Sequence, residues 1–264
     1  MKRELILLKL GGAVITDKKK PYTPKKETIK RLAKEIKEAR KKKKFDLILG
    51  HGSGSFAHTS AKLYKTKEGF INKESLYGFC LVQRDASALN KIVTDIFLKT
   101  GLKVFSLQPS AFILTRGSKI ISFNLKIILK LLEYEIIPII YGDVVVDLKK
   151  GCAILSTEDL LSYLAIKLKP KRILFGSREE GVYIKDKKGR KVFLKKVDRE
   201  NWREIKKYLF SSEGIDVTGG MLHKVEKSIE LAKRGFRVEI FSETKKGNLK
   251  KVLLGKKIGT EIKW

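Results

Sequence analysis

The sequence predicts an α/β fold, a three-layer αβα sandwich with a mainly parallel central sheet. Three observations carry that expectation. Short apolar runs of strand length alternate along the chain with segments whose apolar residues recur at helical spacing. The runs are largely apolar throughout rather than at every second residue, the pattern of strands covered on both faces. Several of them end directly in glycine, where a parallel sheet turns into its ligand loops.

The first run, residues 4–10, is a buried strand that stops at Gly11 and Gly12. Residues 25–44 follow as a helix, with Ile29, Leu32, Ala33, Ile36 and Ala39 on one face. Its basic end, residues 40–44, suits the negative pole of the helix dipole. Residues 46–49 form a second buried strand, and Gly50, His51, Gly52, Ser53, Gly54 and Ser55 read as the glycine-rich turn after it. A long helix is expected over 73–100, then a strand over 102–107 that Gln108, Pro109 and Ser110 stop. Short strands near 112–114 and 119–122 precede a helix over 124–135. The run 136–141 is a further buried strand entering Gly142 and Asp143, and 144–147 with 152–155 read as a hairpin around Gly151. A helix over 158–168 leads to a strand over 172–175. The last third holds a hairpin (182–184 with 191–194), a short helix near 200–209 and a turn-rich stretch over 211–220. A helix over 223–234, a strand over 236–241 and a small helix over 248–254 complete it. No internal repeat or low-complexity linker interrupts the alternation, so one domain is expected over residues 1–264.

Composition fits a globular chain, with 42% apolar residues, 33% charged and 5 prolines. No apolar run reaches the roughly 18 residues of a membrane helix. The first residues lack the apolar core and cleavage site of a secretory signal, so a cytoplasmic protein is expected. The 2 cysteines, Cys80 and Cys152, are too few for a disulfide framework and read as buried small hydrophobes. Lysine and arginine number 59 against 29 acids, a formal charge of +30. Such a chain can collect nucleic-acid phosphates, but the basic residues are spread along its length and no nucleic-acid motif accompanies them. A pocket for an anionic small molecule explains the charge at least as well. Neither a nucleic-acid partner nor a membrane is expected.

Gly11 with Gly12, Gly52 through Ser55, and Gly219 with Gly220 stand where backbone N–H groups approach an anion, at strand ends or helix starts. Together they suggest more than one phosphate. No segment matches the P-loop pattern, and Ala57 stands where a dinucleotide fingerprint needs its third glycine. His51 and His58 have no acidic or thiol company, so no protein-held metal is expected. Taken singly, each residue has a bland reading. Lys9 ends a strand in a chain rich in lysine, His58 alone reads as a core or surface histidine, and Lys224 sits on an ordinary amphipathic helix.

Three segments in combination decide more. Lys9, Leu10, Gly11, Gly12 and Ala13 come with Asp17 and Lys18; His51 through His58 form the second; Asp216 through Lys224 form the third. Together they resemble the amino acid kinase superfamily and, within it, the isopentenyl phosphate kinase family. The resemblance runs end to end, through Gln108 to Ser110, Gly142 with Asp143, and the closing residues 255–262. It implies transfer of phosphate from ATP with Mg2+ to isopentenyl phosphate, giving isopentenyl diphosphate for isoprenoid synthesis, by a homodimer. Lys9 would bridge the transferred phosphoryl group while Gly11, Gly12 and Ala13 offer N–H donors. Lys224, with Gly219 and Gly220, would hold the ATP phosphates from the other side, and Lys18 would approach them from its loop. His58 would bond the acceptor's phosphate, with Ser53, Gly54 and Thr157 beside it. Residues 1–168 would be the acceptor side and 169–264 the nucleotide side. The logic is sound physically, since phosphoryl transfer is accelerated chiefly by positioning and charge neutralisation. A neighbouring dianion should keep the imidazole protonated.

The chain departs from that family in several places. Ser53 replaces a glycine, Thr59 a proline, and Ala13 a common serine. Glu158 stands for the aspartate that organises the lysines, with Asp159 next to it as a substitute. Arg178 replaces an acidic residue in the nucleotide loop. Two alternatives follow: a kinase of another phosphate or phosphonate such as fosfomycin, and a basic nucleic-acid-binding protein on a kinase fold. A prenyl tail needs apolar walls, for which Tyr77, Phe79, Val82 and Ile140 are the candidates. His51 and His223 are read as structural.

Overall fold

The computed structural model describes residues 3–185, 189–210 and 219–264. The first run becomes β1 (Leu5–Leu10), and its alternate residues serve opposite layers: Ile6, Leu8 and Leu10 pack on one side, Leu7 on the other. Gly12–Ile15 form a single helical turn, α1, and Lys26–Lys42 form α2, whose apolar face is the expected one. Burying each of Ile29, Leu32 and Ile36 stabilises the layer by roughly 1.5–3 kcal/mol. The second strand is β2 (Asp46–His51).

A helix that the sequence did not announce follows immediately, α3 (Gly54–Leu63). Its glycine and serine start masks it, although Phe56, Ala57 and Ser60 share its buried side. The long helix α4 (Lys73–Lys99) begins in a capping box, in which Asn72 accepts from the Ser75 N–H and Ser75 from the Asn72 N–H. Then come β3 (Val104–Leu107), β4 (Ile113–Arg116), β5 (Lys119–Phe123), α5 (Leu125–Glu133) and β6 (Ile137–Tyr141). The expected hairpin is β7 (Asp143–Asp147) against β8 (Gly151–Leu155), followed by α6 (Thr157–Leu168), which Ser156 caps.

The last third gives β9 (Arg172–Ser177), the pair β10 (Val182–Lys185) and β11 (Lys191–Leu194), and a two-residue strand β12 (Lys196–Val197). Helices α7 (Trp202–Phe210) and α8 (Gly219–Ala232), strand β13 (Val238–Ser242), helix α9 (Asn248–Leu253) and strand β14 (Thr260–Ile262) complete the chain. Strands β12 and β14 are too short to show in an apolar pattern. The turn of the 182–194 hairpin and the stretch 211–218 lie at least in part outside the described residues.

The main sheet has 8 strands in the order β12-β14-β13-β9-β1-β2-β6-β3, and only the β13–β14 pair is antiparallel. Helices α2, α4 and α9 cover one face, and α5, α6 and α8 cover the other. This is the three-layer sandwich the sequence predicts. A 4-stranded sheet, β5-β4-β7-β8, stands beside it. One expectation fails: Cys152 is buried, but Cys80 is exposed on α4. Among the described residues no helix is long and apolar enough to cross a membrane.

Candidate active site

Because β1, β2, β9 and β13 run parallel, their C-terminal ends share one edge, and the glycine turns meet there. A Cβ added to Gly12 would lie 3.2 Å from the Gly54 Cα, and one added to Gly52 would lie 3.9 Å from the Lys9 Cε. The two turns therefore approach to backbone contact with Lys9 between them. Gly54 has φ +55° and sits against Thr16, whose hydroxyl would be 2.2 Å from a Cβ, so glycine is required there. That hydroxyl donates to the Gly12 carbonyl at 2.8 Å and accepts the Ser55 N–H at 3.0 Å.

Lys9 comes up from the end of β1 and pairs with Glu158 in the first turn of α6. Both are buried, at 8% and 5% exposure. Burial works to raise the pKa of Glu158, but Lys9 beside it and Lys224 beyond outweigh burial and hold the carboxyl below its usual range. The extra methylene thus spans the gap without help. Asp159 instead accepts the Ser156 hydroxyl at 2.6 Å and pairs with Lys227 at 3.2 Å, so it is no substitute.

Lys224, on α8, is 7% exposed and donates to the Gly176 carbonyl of β9 at 3.0 Å. Burial, and then the charge of Lys9, push its pKa down to about 8. Gly219 and Gly220 open that helix, while Asp216, Val217 and Thr218 of the same motif lie outside the described residues.

The Gly11 N–H is not free for a phosphate. It donates to Glu243 Oε2 at 2.8 Å. The open donors are those of Gly12 and Ala13, which as first residues of α1 have no intrahelical partner. Glu243 escaped the sequence reading; its one signal is that an acid stands just past the end of β13, on the ligand edge.

Beside Gly54 an open cavity of about 390 Å³ is lined by Lys18, Lys19, Pro21, Gly54, Ser55, His58 and Thr59. Lys18 and His58 are both exposed there. His58 has its pKa lowered by the protein packed around one side of the ring, then by Lys18 and Lys9. These surroundings favour neutral imidazole, so the charge expected on His58 has to come with a bound anion. Ser53 donates its hydroxyl to the Gly142 carbonyl at 3.2 Å, tying the turn to β6. Thr157 is turned away from the pocket, with its hydroxyl donated to the His51 carbonyl at 2.6 Å and its methyl against Gly50. His51 is structural, bonded to Asn90 at 3.1 Å and stacked on Tyr141, and His223 lies 3.3 Å from the Ser156 hydroxyl.

Of the four expected apolar wall residues, two are brought together, in a cluster that does not line that cavity. Phe79 and Val82 join Ala57, Ala86, Tyr141, Val144, Cys152 and Ile154 in one cluster. Ile140 faces the opposite layer, and Tyr77 faces solvent. Arg178 is exposed in the loop after β9, where its carbonyl accepts the Ser242 hydroxyl at 3.2 Å. Among the described residues no group of 3 or more His, Cys, Asp or Glu side chains could hold a metal ion.

This geometry has known counterparts. The model of the amino acid kinase family matches residues 4–242. Isopentenyl phosphate kinase of Methanocaldococcus jannaschii is 39% identical, with 98% of each chain covered. That of Methanothermobacter thermautotrophicus is 33% identical over the same shares. Among solved structures, an isopentenyl phosphate kinase at 30% identity superposes with a TM-score of 0.82 over 98% of this chain and 100% of its own. The Thermoplasma acidophilum enzyme in its product complex, at 24% identity and a TM-score of 0.78, shares the fold. The chain belongs to the amino acid kinase family and, within it, to the isopentenyl phosphate kinases.

Proposed function

We propose that this protein transfers the γ-phosphate of ATP to isopentenyl phosphate, forming isopentenyl diphosphate for isoprenoid biosynthesis. The observation that carries the reading is the meeting of two glycine turns around the buried Lys9–Glu158 pair, with Lys224 on one side and the Lys18–His58 pocket on the other. The phosphate of the acceptor is itself the nucleophile, so no strong base is needed. What the site supplies is cations and N–H donors where two anions must be brought together.

Lys9, Gly12, Ala13 and Lys224 hold the phosphates of ATP, with Gly219, Gly220 and the Arg178 loop on the nucleotide side, residues 169–264. Magnesium would come with the nucleotide, held chiefly by its phosphates, and would supply neutralising charge to the transferred group. Residues 1–168 form the acceptor side: Gly54 and His58 take the phosphate of isopentenyl phosphate, and Lys18, in the same cavity, approaches the ATP phosphates from its loop. Thr157 and Ser53 act through the backbone they fix, and Gly11 by setting the direction of the turn. A five-carbon tail needs apolar walls, and the cluster that includes Ala57, the neighbour of His58 in sequence, is the candidate for them. We further infer a cytoplasmic homodimer without nucleic-acid or membrane partners. Exposed Leu63, Ile71 and Tyr77 near the start of α4 support self-association.

The test is ADP release with Mg-ATP and isopentenyl phosphate, dimethylallyl phosphate or fosfomycin. Turnover on the prenyl phosphates is expected. Activity on fosfomycin alone, or on none of the three with the protein folded, would sink the assignment.

A further inference from the structure

We propose that Glu243 is a positioning residue of the phosphoryl-transfer site, fixing the Gly11 peptide against the end of β13 and serving as the counter-charge of Lys224. The inference rests on the nucleotide-side reading above. Glu243 is wholly buried, at 0% exposure, and touches no reacting atom. Its backbone is tied down, with its N–H donated to the Ser177 carbonyl at 2.9 Å and its carbonyl taken by Arg31 at 2.5 Å. The side chain therefore has one place to go. It lies on Gly176, where an added Cβ would be 2.0 Å from its Cδ, and next to Gly11, where an added Cβ would be 3.4 Å from Oε2. Two glycines on neighbouring strands thus form the slot that admits this carboxyl to the ligand edge.

Its two oxygens differ. Oε2 accepts the Gly11 N–H, which fixes the direction in which the following Gly12 and Ala13 donors point. Oε1 is buried with no hydrogen-bond partner among the described residues. Such an acceptor costs stability and calls for an explanation. The charges around it supply one: Lys224 from α8, which bonds the carbonyl of the same Gly176, Lys9 from β1 and Arg31 from α2 all act on the carboxyl, none of them within ion-pair distance among the described residues. Lys9 is already matched by Glu158, which leaves Glu243 as the second anion in a cluster of two lysines and two glutamates.

Burial raises the pKa of Glu243 to about 7, against the pull of Gly11, Lys224, Lys9 and Arg31. Above that pH it is ionised, and with Glu158 it then helps Lys224 keep its proton up to about pH 8 against burial and the charge of Lys9. Removing the charge must bring the loss of that proton to lower pH.

The experiment is a titration of the full chain with Mg-AMP-PNP between about pH 6 and 9.5, which needs no acceptor. Wild-type affinity falls above about pH 8, where Lys224 deprotonates. In Glu243→Gln, which keeps an acceptor for Gly11 and loses the charge, the break moves down by about 0.5–1 pH unit while affinity at pH 6.5 stays within about 2-fold. In Glu243→Ala, affinity is more than about 10-fold weaker at every pH, because the Gly11 turn also loses its anchor. A break at the wild-type pH in Glu243→Gln overturns the proposal, and so does wild-type affinity in Glu243→Ala. If the alanine variant does not fold, the glutamine variant decides alone. A wild type that binds the nucleotide but leaves isopentenyl phosphate unphosphorylated would overturn the substrate reading and leave this one standing.

Discussion

The two cationic regions that meet at Gly12 keep their charges in opposite ways. In the region proposed for the ATP phosphates Lys9 and Lys224 are buried, each within the field of a buried glutamate. On the acceptor side Lys18 and His58 are exposed and face no carboxylate close enough for an ion pair among the described residues. A buried cation is costly unless matched, so the first region must be built in full before any ligand comes. An exposed cation costs nothing to leave unmatched, so the second is completed by the substrate. The first region should therefore lose stability and activity together when altered, the second activity alone.

The severest test is Lys9→Ala. It strands Glu158 and should reduce kcat by at least about 100-fold while costing roughly 3–5 kcal/mol of stability. Kinetics and urea unfolding measure the two, and an inactive variant of undiminished stability would break the comparison. His58→Ala should lower kcat/KM for isopentenyl phosphate by about 10- to 100-fold, the worth of a hydrogen bond to a charged group. Its unfolding free energy should stay within about 0.5 kcal/mol of wild type.

A smaller effect sharpens the contrast by pH. Free-enzyme kcat/KM for ATP should decline above about pH 8 as Lys224 loses its proton, while saturating ATP moves that limb of kcat upward. A limb in the same place in both profiles would mean that nucleotide does not meet Lys224. Arg178→Ala comes last. An exposed side chain with no side-chain partner among the described residues should change the KM for ATP by less than about 5-fold. A larger change would show that the loop after β9 grips the nucleotide through this side chain.

The same contrast governs what the sequence disclosed. Lys9, Gly11, Gly12, His58 and Lys224 stand in short contiguous motifs, and the strands before them show as apolar runs, so sheet and glycine turns were legible. Helix α3 was not, because its first residues serve a turn and its apolar side spans too few positions to show a period. Glu243 was invisible because its meaning lies in Gly11 and Gly176, each distant in sequence and adjacent only once the sheet forms. Thr157 misled for a related reason: a hydroxyl at a helix start suits a ligand, yet the nearest unsatisfied acceptor was the end of β2. Ile140 sits on a strand covered on both faces, where neither an apolar run nor a neighbour in sequence shows which layer a residue enters.

Thr16 joins both halves through one oxygen, since its hydroxyl holds the Gly12 carbonyl and the Ser55 N–H at once. A displacement of either glycine turn as its substrate binds is therefore expected to pull on the other. Where it does, thermodynamic reciprocity requires each substrate to alter the affinity of its partner by the same factor. Thr16→Val, which keeps the shape and drops both bonds, should bring that factor toward unity, measured as AMP-PNP affinity with and without isopentenyl phosphate. A single methyl-for-hydroxyl exchange would thus turn a pair of conversing sites into two independent ones.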